Sequence, residues 1–94
     1  MQNLGTILRT ERLKSQLPLR QVARTLQIDT GLISKIERNE RNATKEQISM
    51  FAKLYDLDQD TLFIEWYSDK IIRELKEASF KNEVLEAVHQ KINS

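Results

Sequence analysis

Apolar residues in this chain return at steps of three and four, and almost nothing interrupts them. There are only two glycines and one proline, so turns are few and long helices are expected. No run alternates β-branched with polar residues, the trace a half-buried strand would leave. The pattern predicts an all-α fold. A helix over 4–15 has Leu4, Ile7 and Leu8 on its apolar side, with Leu13 left open as a further member. A second opens with Pro18 in its first turn, where a missing N–H does no harm. Its Leu19, Val22, Ala23 and Leu26 form one face. About eight residues cannot hold a helix in isolation, so it must pack on neighbours. Asp29 is a good N-cap for a third helix over 30–38. Thr44 and Gln47 read as a capping box for a fourth, marked by Ile48, Phe51, Ala52, Leu54 and Tyr55. Asp58 caps a fifth that runs to about residue 77, with Leu62, Phe63, Trp66, Tyr67, Ile71, Ile72 and Leu75 as its apolar positions. A sixth over 80–92 carries Phe80, Val84, Leu85, Val88 and Ile92.

A chain of 94 residues suits one small domain. The net charge is only +1, but it is unevenly placed. Residues 1–45 hold nine basic and four acidic side chains (9 − 4 = +5), and residues 46–94 hold six and ten (6 − 10 = −4). A basic front half and an acidic back half suit a polyanionic partner that meets only the front. Ordinary solvated surface explains the charge equally well. The absence of cysteine excludes a disulfide framework and a thiolate metal site. The N-terminal "MQNLGTILRTERL" lacks the apolar core of a signal peptide, and no segment approaches a membrane span. A soluble, cytoplasmic protein with no membrane partner is the default expectation.

Two short helices joined by a tight turn, the second ending in basic residues, form a helix-turn-helix candidate. On a helical wheel Leu32, Ile33 and Ile36 share one arc, while Thr30, Gly31, Ser34, Lys35 and Arg38 occupy the opposite one. Such a helix anchors one face in a core and keeps the other slim enough for a groove about 12 Å wide. The stretches "LRQVARTLQID", "ISKIERNER" and "ATKEQISMFAKLYDLD", in this order and spacing, resemble the phage-repressor (Cro-type, XRE) helix-turn-helix family of transcriptional regulators. The resemblance covers about residues 4–63. It implies a five-helix repressor-like DNA-binding domain over 1–63, followed by a C-terminal helical extension over 64–94.

The resemblance also implies roles. Thr30, Gly31, Ser34 and Lys35 face base edges of a double-stranded DNA operator, with Lys35 as the one long donor. Arg38, Arg41 and Asn42 meet phosphates, as does the start of the second helix, Leu19, Arg20 and Gln21. A family member often carries glutamine where Leu19 stands, and Leu19 cannot donate from its side chain, so Arg20 or Gln21 would substitute. Gln27 occupies a turn position often held by glycine, which requires a left-handed backbone there. Glu37 is read as structural, pairing with Arg20 or Arg41. Arg9, Arg12 and Lys14 either flank the phosphate path or serve solubility. Gly31 lies near the middle of the outer face. Either its missing side chain lets the backbone approach DNA, or Asp29, Thr30 and Gly31 merely form a permissive helix start.

In the extension, Ile64, Tyr67, Ile71, Leu75 and Ala78 step by three and four, close to the 3.5-residue repeat of a helix-packing seam. We read Trp66, Tyr67, Ile71, Leu75, Phe80, Leu85 and Val88 as a dimer interface, giving a homodimer that doubles the base contacts. The open alternative is that these helices complete the monomer's own core. A different function class also stays open: an antitoxin or interaction module whose acidic C-terminal helices hold a toxin or other protein. An enzyme is not expected, because no glycine-rich phosphate loop or catalytic constellation is present. No cofactor or metal is expected, since His89 is the sole histidine and has no ligand set around it.

Overall fold

The computed structural model describes residues 3–94. Among them the only regular elements are six helices: α1 (Leu4–Lys14), α2 (Leu19–Leu26), α3 (Thr30–Glu37), α4 (Lys45–Tyr55), α5 (Gln59–Glu74) and α6 (Lys81–Ile92). The expected all-α order holds, with helix ends shifted by one to three residues. Pro18 sits just outside α2 as its N-cap rather than within its first turn.

The N-caps follow from local chemistry. Asp29 accepts from the Leu32 amide at 3.2 Å. Thr44 and Gln47 close both bonds of the capping box. Asp58 accepts from the Thr61 amide and hydroxyl at 2.9 and 2.8 Å, and these bonds hold its carboxyl below the usual range. Each cap satisfies amides that a helix start leaves open.

The C-terminal ends share one device. Gln16, Gln27, Asn39 and Asp56 all adopt positive φ between 53° and 61°, within two residues of the ends of α1, α2, α3 and α4. The next residue then reaches back: Leu17 to the Arg12 carbonyl, Ile28 to Ala23, Glu40 to Lys35 and Leu57 to Ala52, at 2.8–3.1 Å. These are Schellman closures made without glycine. Leu17, Ile28 and Leu57 pack on the core, supplying the apolar contact that offsets the strained backbone.

Leu8, Val22, Ile33, Ile36, Ile48, Phe51 and Leu62 are fully buried and draw all of α1 to α5 together. Helix α1 crosses the end of α3 so closely that a Cβ on Gly5 would lie 2.3 Å from the Ile36 carbonyl oxygen and 2.7 Å from that of Glu37. Glycine is required there for approach, not for backbone freedom. Behind this crossing lies a buried ion pair. The Arg12 Nε and Nη2 donate to the two carboxylate oxygens of Glu37 at 2.8 and 3.1 Å, and Nη1 donates to the Leu17 carbonyl at 3.0 Å. The side chains are 12% and 4% exposed. Glu37 therefore pairs with Arg12, not with Arg20 or Arg41, and Arg12 is withdrawn from any phosphate path. The fork geometry makes this a strong, oriented contact.

Helix α5 has two faces. Its inner face carries Leu62, Trp66 and Asp69; Trp66 is 5% exposed and donates from Nε1 to the Ala43 carbonyl at 2.8 Å. Asp69 accepts from the Leu4 amide at 2.8 Å, capping α1 from 65 residues away. Trp66 thus belongs to the domain's own core, which removes it from the expected dimer interface. The boundary expected at 63/64 falls inside this continuous helix. Beyond it, α6 packs on no other helix, and the chain extends over 44 × 25 × 21 Å.

Candidate nucleic-acid interface

Helix α3 turns Ile33 and Ile36 fully into the core and half-buries Leu32. Its opposite face keeps Gly31 and Lys35 exposed and Thr30 and Ser34 half-exposed. The four residues expected to read bases therefore share one open face, which ends in Arg38. Among the described residues, a Cβ on Gly31 would meet only the Asp29 Oδ2, at 2.9 Å. The open space beyond that oxygen fits the close-approach reading. The contact adds a point invisible in the sequence: Gly31 also leaves room for the carboxylate that caps its own helix.

The phosphate candidates divide. Arg20 and Gln21 are exposed in the first turn of α2, which has no side-chain cap of its own. Arg41 and Asn42 are exposed in the loop after α3. Leu19 is half-buried and packs against the core, so its side chain is not a phosphate contact. Arg38 is engaged within the chain: Nη1 donates to the Ser34 hydroxyl at 2.8 Å, and Nε pairs with the Glu40 carboxylate. Both partners of that pair are more than half exposed. An exposed pair contributes at most about 1 kcal/mol, so a phosphate can replace Glu40 at little cost.

The loop bearing Arg41 and Asn42 is pinned at both ends. Asn39 accepts from the Gly5 amide at 3.0 Å and donates to the Asn3 side chain at 2.9 Å. At the far end, Ala43 is buried and its carbonyl is held by Trp66. Sequence reasoning missed Gly5, Asn39 and Asp69. The available signal was Gly5 itself, a glycine inside a helical pattern, which marks a packing or functional reason.

The remaining expected interface residues stand outside this site. Tyr67, Ile71, Phe80, Leu85 and Val88 are exposed and Leu75 is half-exposed. Among the described residues no three His, Cys, Asp or Glu side chains come together as a metal site, and no helix is long and apolar enough to cross a membrane.

Comparison with known proteins agrees with this geometry. The crystal structure of the clp gene regulator ClgR from Corynebacterium glutamicum is similar over 92% of this chain and 89% of that one, with a TM-score of 0.60 at 23% identity. At that identity the likeness concerns the fold. No curated protein matches the chain. A helix-turn-helix domain model matches residues 3–62, which span α1 to α4 and the first quarter of α5. With well over half of its length matched, the chain belongs to the helix-turn-helix domain family.

Proposed function

We propose that this protein is a sequence-specific, DNA-binding transcriptional regulator that acts as a homodimer and represses or autoregulates by occupying an operator. The observation that carries the reading is the outer face of α3. It is small and polar along Thr30, Gly31 and Ser34, holds one long donor in Lys35, and leads into the exposed Arg41 and Asn42. Seated in a major groove, Lys35 donates to guanine O6 or N7. Arg41, Asn42, Arg20 and Gln21, with Arg38 once freed from Glu40, hold the backbone and fix the register. Phosphate contacts supply much of the affinity, so binding falls steeply with salt. The solved neighbour's description as a gene regulator fits this role. The reading asks no chemistry and no cofactor of the chain.

In vitro selection from a random DNA pool tests it. Enrichment of a two-fold symmetric consensus, with half-sites about one helical turn apart, is the expected outcome. No enrichment at moderate salt overturns the proposal. Within an enriched site, Lys35→Ala lowers selectivity, whereas Arg41→Ala weakens all sequences about equally and reduces the salt slope by about one.

The open apolar positions on α5 and α6 support a second reading, in which the C-terminal helices hold a toxin or other protein partner. Recovery of a stoichiometric heterologous partner on affinity capture, with no selective DNA binding, favours that reading over the first.

A further inference from the structure

Helix α5 is apolar on two opposite sides. At about 100° per residue, Ile64, Ile71 and Leu75 fall within about 40° of one another, with Tyr67 beside them. This stripe lies diametrically opposite the buried Leu62 and Trp66. Ile64 is 64% exposed, and Tyr67 and Ile71 nearly half. A helix apolar on both sides requires a partner on each. Helix α6 presents the converse case. Val84, Leu85, Val88 and Ile92 span about 100° of its surface, no residue of it is buried, and it packs on no other helix of its chain. Twelve residues without tertiary support are marginal as a helix.

The charges beside the two stripes are complementary. Asp60, Glu65 and Glu74 border the α5 stripe, while the two lysines nearest it lie over aromatic rings: Lys70 over Trp66, 4.3 Å from the centroid, and Lys45 over Tyr67, 5.6 Å from its centroid. Lys81 and Lys91 border the α6 stripe, and Glu83 and Glu86 fall about 150° from its centre, on the far side. None of these charges forms an ion pair among the described residues. The lengths match as well: the twelve residues of α6 span about 18 Å and the α5 stripe from Ile64 to Leu75 about 17 Å.

We infer that α6 docks on the outer stripe of α5 in a second copy of this chain, and receives that copy's α6 on its own α5. The exchange is reciprocal, as a two-fold interface demands. It rests on the dimer reading above and specifies how that dimer is made.

Two charge-reversed variants test it, all four positions being exposed. One carries Asp60→Lys and Glu74→Lys on α5, the other Lys81→Glu and Lys91→Glu on α6. Mass is read by light scattering against the 11.1 kDa chain, with far-UV circular dichroism reporting retained helix. The wild type is expected to be a dimer. Each variant alone should dissociate at a concentration at least about tenfold higher, because like charges then face each other. An equimolar mixture should recover a heterodimer, since both exchanged contacts are again opposite in sign. The inference is overturned by a monomeric wild type, or by two variants that both dimerise like it. It is also overturned if only the α5 variant dissociates, which is the signature of α5 stripes pairing without α6. Two monomers that no mixing restores overturn it too, because each α6 then folds on its own α5. No DNA enters the measurement, so failure here and failure of the regulator reading are separable.

Discussion

Helices α3 and α6 are both short and amphipathic, with 8 and 12 residues, yet the fold treats them oppositely. Helix α3 buries Ile33 and Ile36, is capped by Asp29, and is tied at its end by Glu37 to Arg12 and by Asn39 to α1. Helix α6 buries nothing. Both leave a face open, but for different reasons. The outer face of α3 is polar and already at ease in water, so its exposure costs the fold nothing. The face of α6 is apolar, and exposure there is a deficit that a partner removes. The open face of α3 therefore suits a hydrated polyanion, and that of α6 a protein surface.

The sharpest way to break the contrast is to remove one tie of α3. Arg12→Ala leaves the Glu37 carboxylate buried without a counter-charge, and losing one partner of such a pair costs about 3–5 kcal/mol. That is a large part of the ~5–15 kcal/mol that holds a small domain folded. Urea unfolding should show a collapsed midpoint, and DNA binding should disappear with the fold. Gly5→Ala comes next. The new methyl meets two backbone carbonyls that cannot rotate away, so overpacking should cost about 1–3 kcal/mol by the same measurement. Leu85→Asp in α6 is the control: in the isolated chain it should shift the midpoint by less than about 0.5 kcal/mol. A comparable loss from Leu85→Asp at a concentration low enough to keep the chain monomeric would mean that α6 contributes to the monomer.

The same contrast decides what could be read in the sequence. The caps were legible because their partners lie three residues away: Asp29 with Leu32, Thr44 with Gln47, Asp58 with Thr61. The outer face of α3 was legible for the same reason, being set by helical period alone. What stayed hidden is separated by tens of residues. Glu37 had several candidate arginines, and only the packing of α1 on α3 selects Arg12. Trp66 carries an apolar ring that suits a core or an interface, and its bond to Ala43 exists only once α5 crosses the loop. The Schellman closures were half-legible. Gln16-Leu17, Gln27-Ile28 and Asp56-Leu57 each pair a polar residue with an apolar one just past a helix, but only Gln27 was anticipated.

A smaller effect probes the core beneath that ion pair. Burial and the nearby Glu37 carboxylate push the Tyr55 phenol from 10.0 up to about 12, and its hydroxyl has no hydrogen-bond partner among the described residues. Below the unfolded value the phenol is neutral in both states and folding is unaffected. As pH rises from 10.0 towards about 12 the unfolded chain ionises first, so stability falls across that window. Tyr55→Phe leaves no phenol to ionise and no unpaired hydroxyl. It should be neutral or slightly stabilising near neutral pH, and should lose less stability than the wild type as pH rises through that window. Parallel losses in both proteins would place the Tyr55 hydroxyl in contact with water.

Gly31→Ala is expected to have the smallest effect on stability, and it bears directly on why the open face of α3 is shaped as it is. Alanine gains up to about 1 kcal/mol in helix propensity. Against this, its methyl presses on the Asp29 carboxylate, the far end of a short flexible side chain. Weakening that cap forfeits up to a similar amount, so the thermal midpoint should hardly move. Among the described residues only that carboxylate meets the methyl, so a change in DNA affinity at unchanged stability is read on the DNA side. Affinity lost at unchanged stability means that the backbone of α3 comes close enough for one methyl to matter. Unchanged affinity means that Gly31 serves only the Asp29 cap, and that Thr30, Ser34 and Lys35 reach the bases from a helix standing further off.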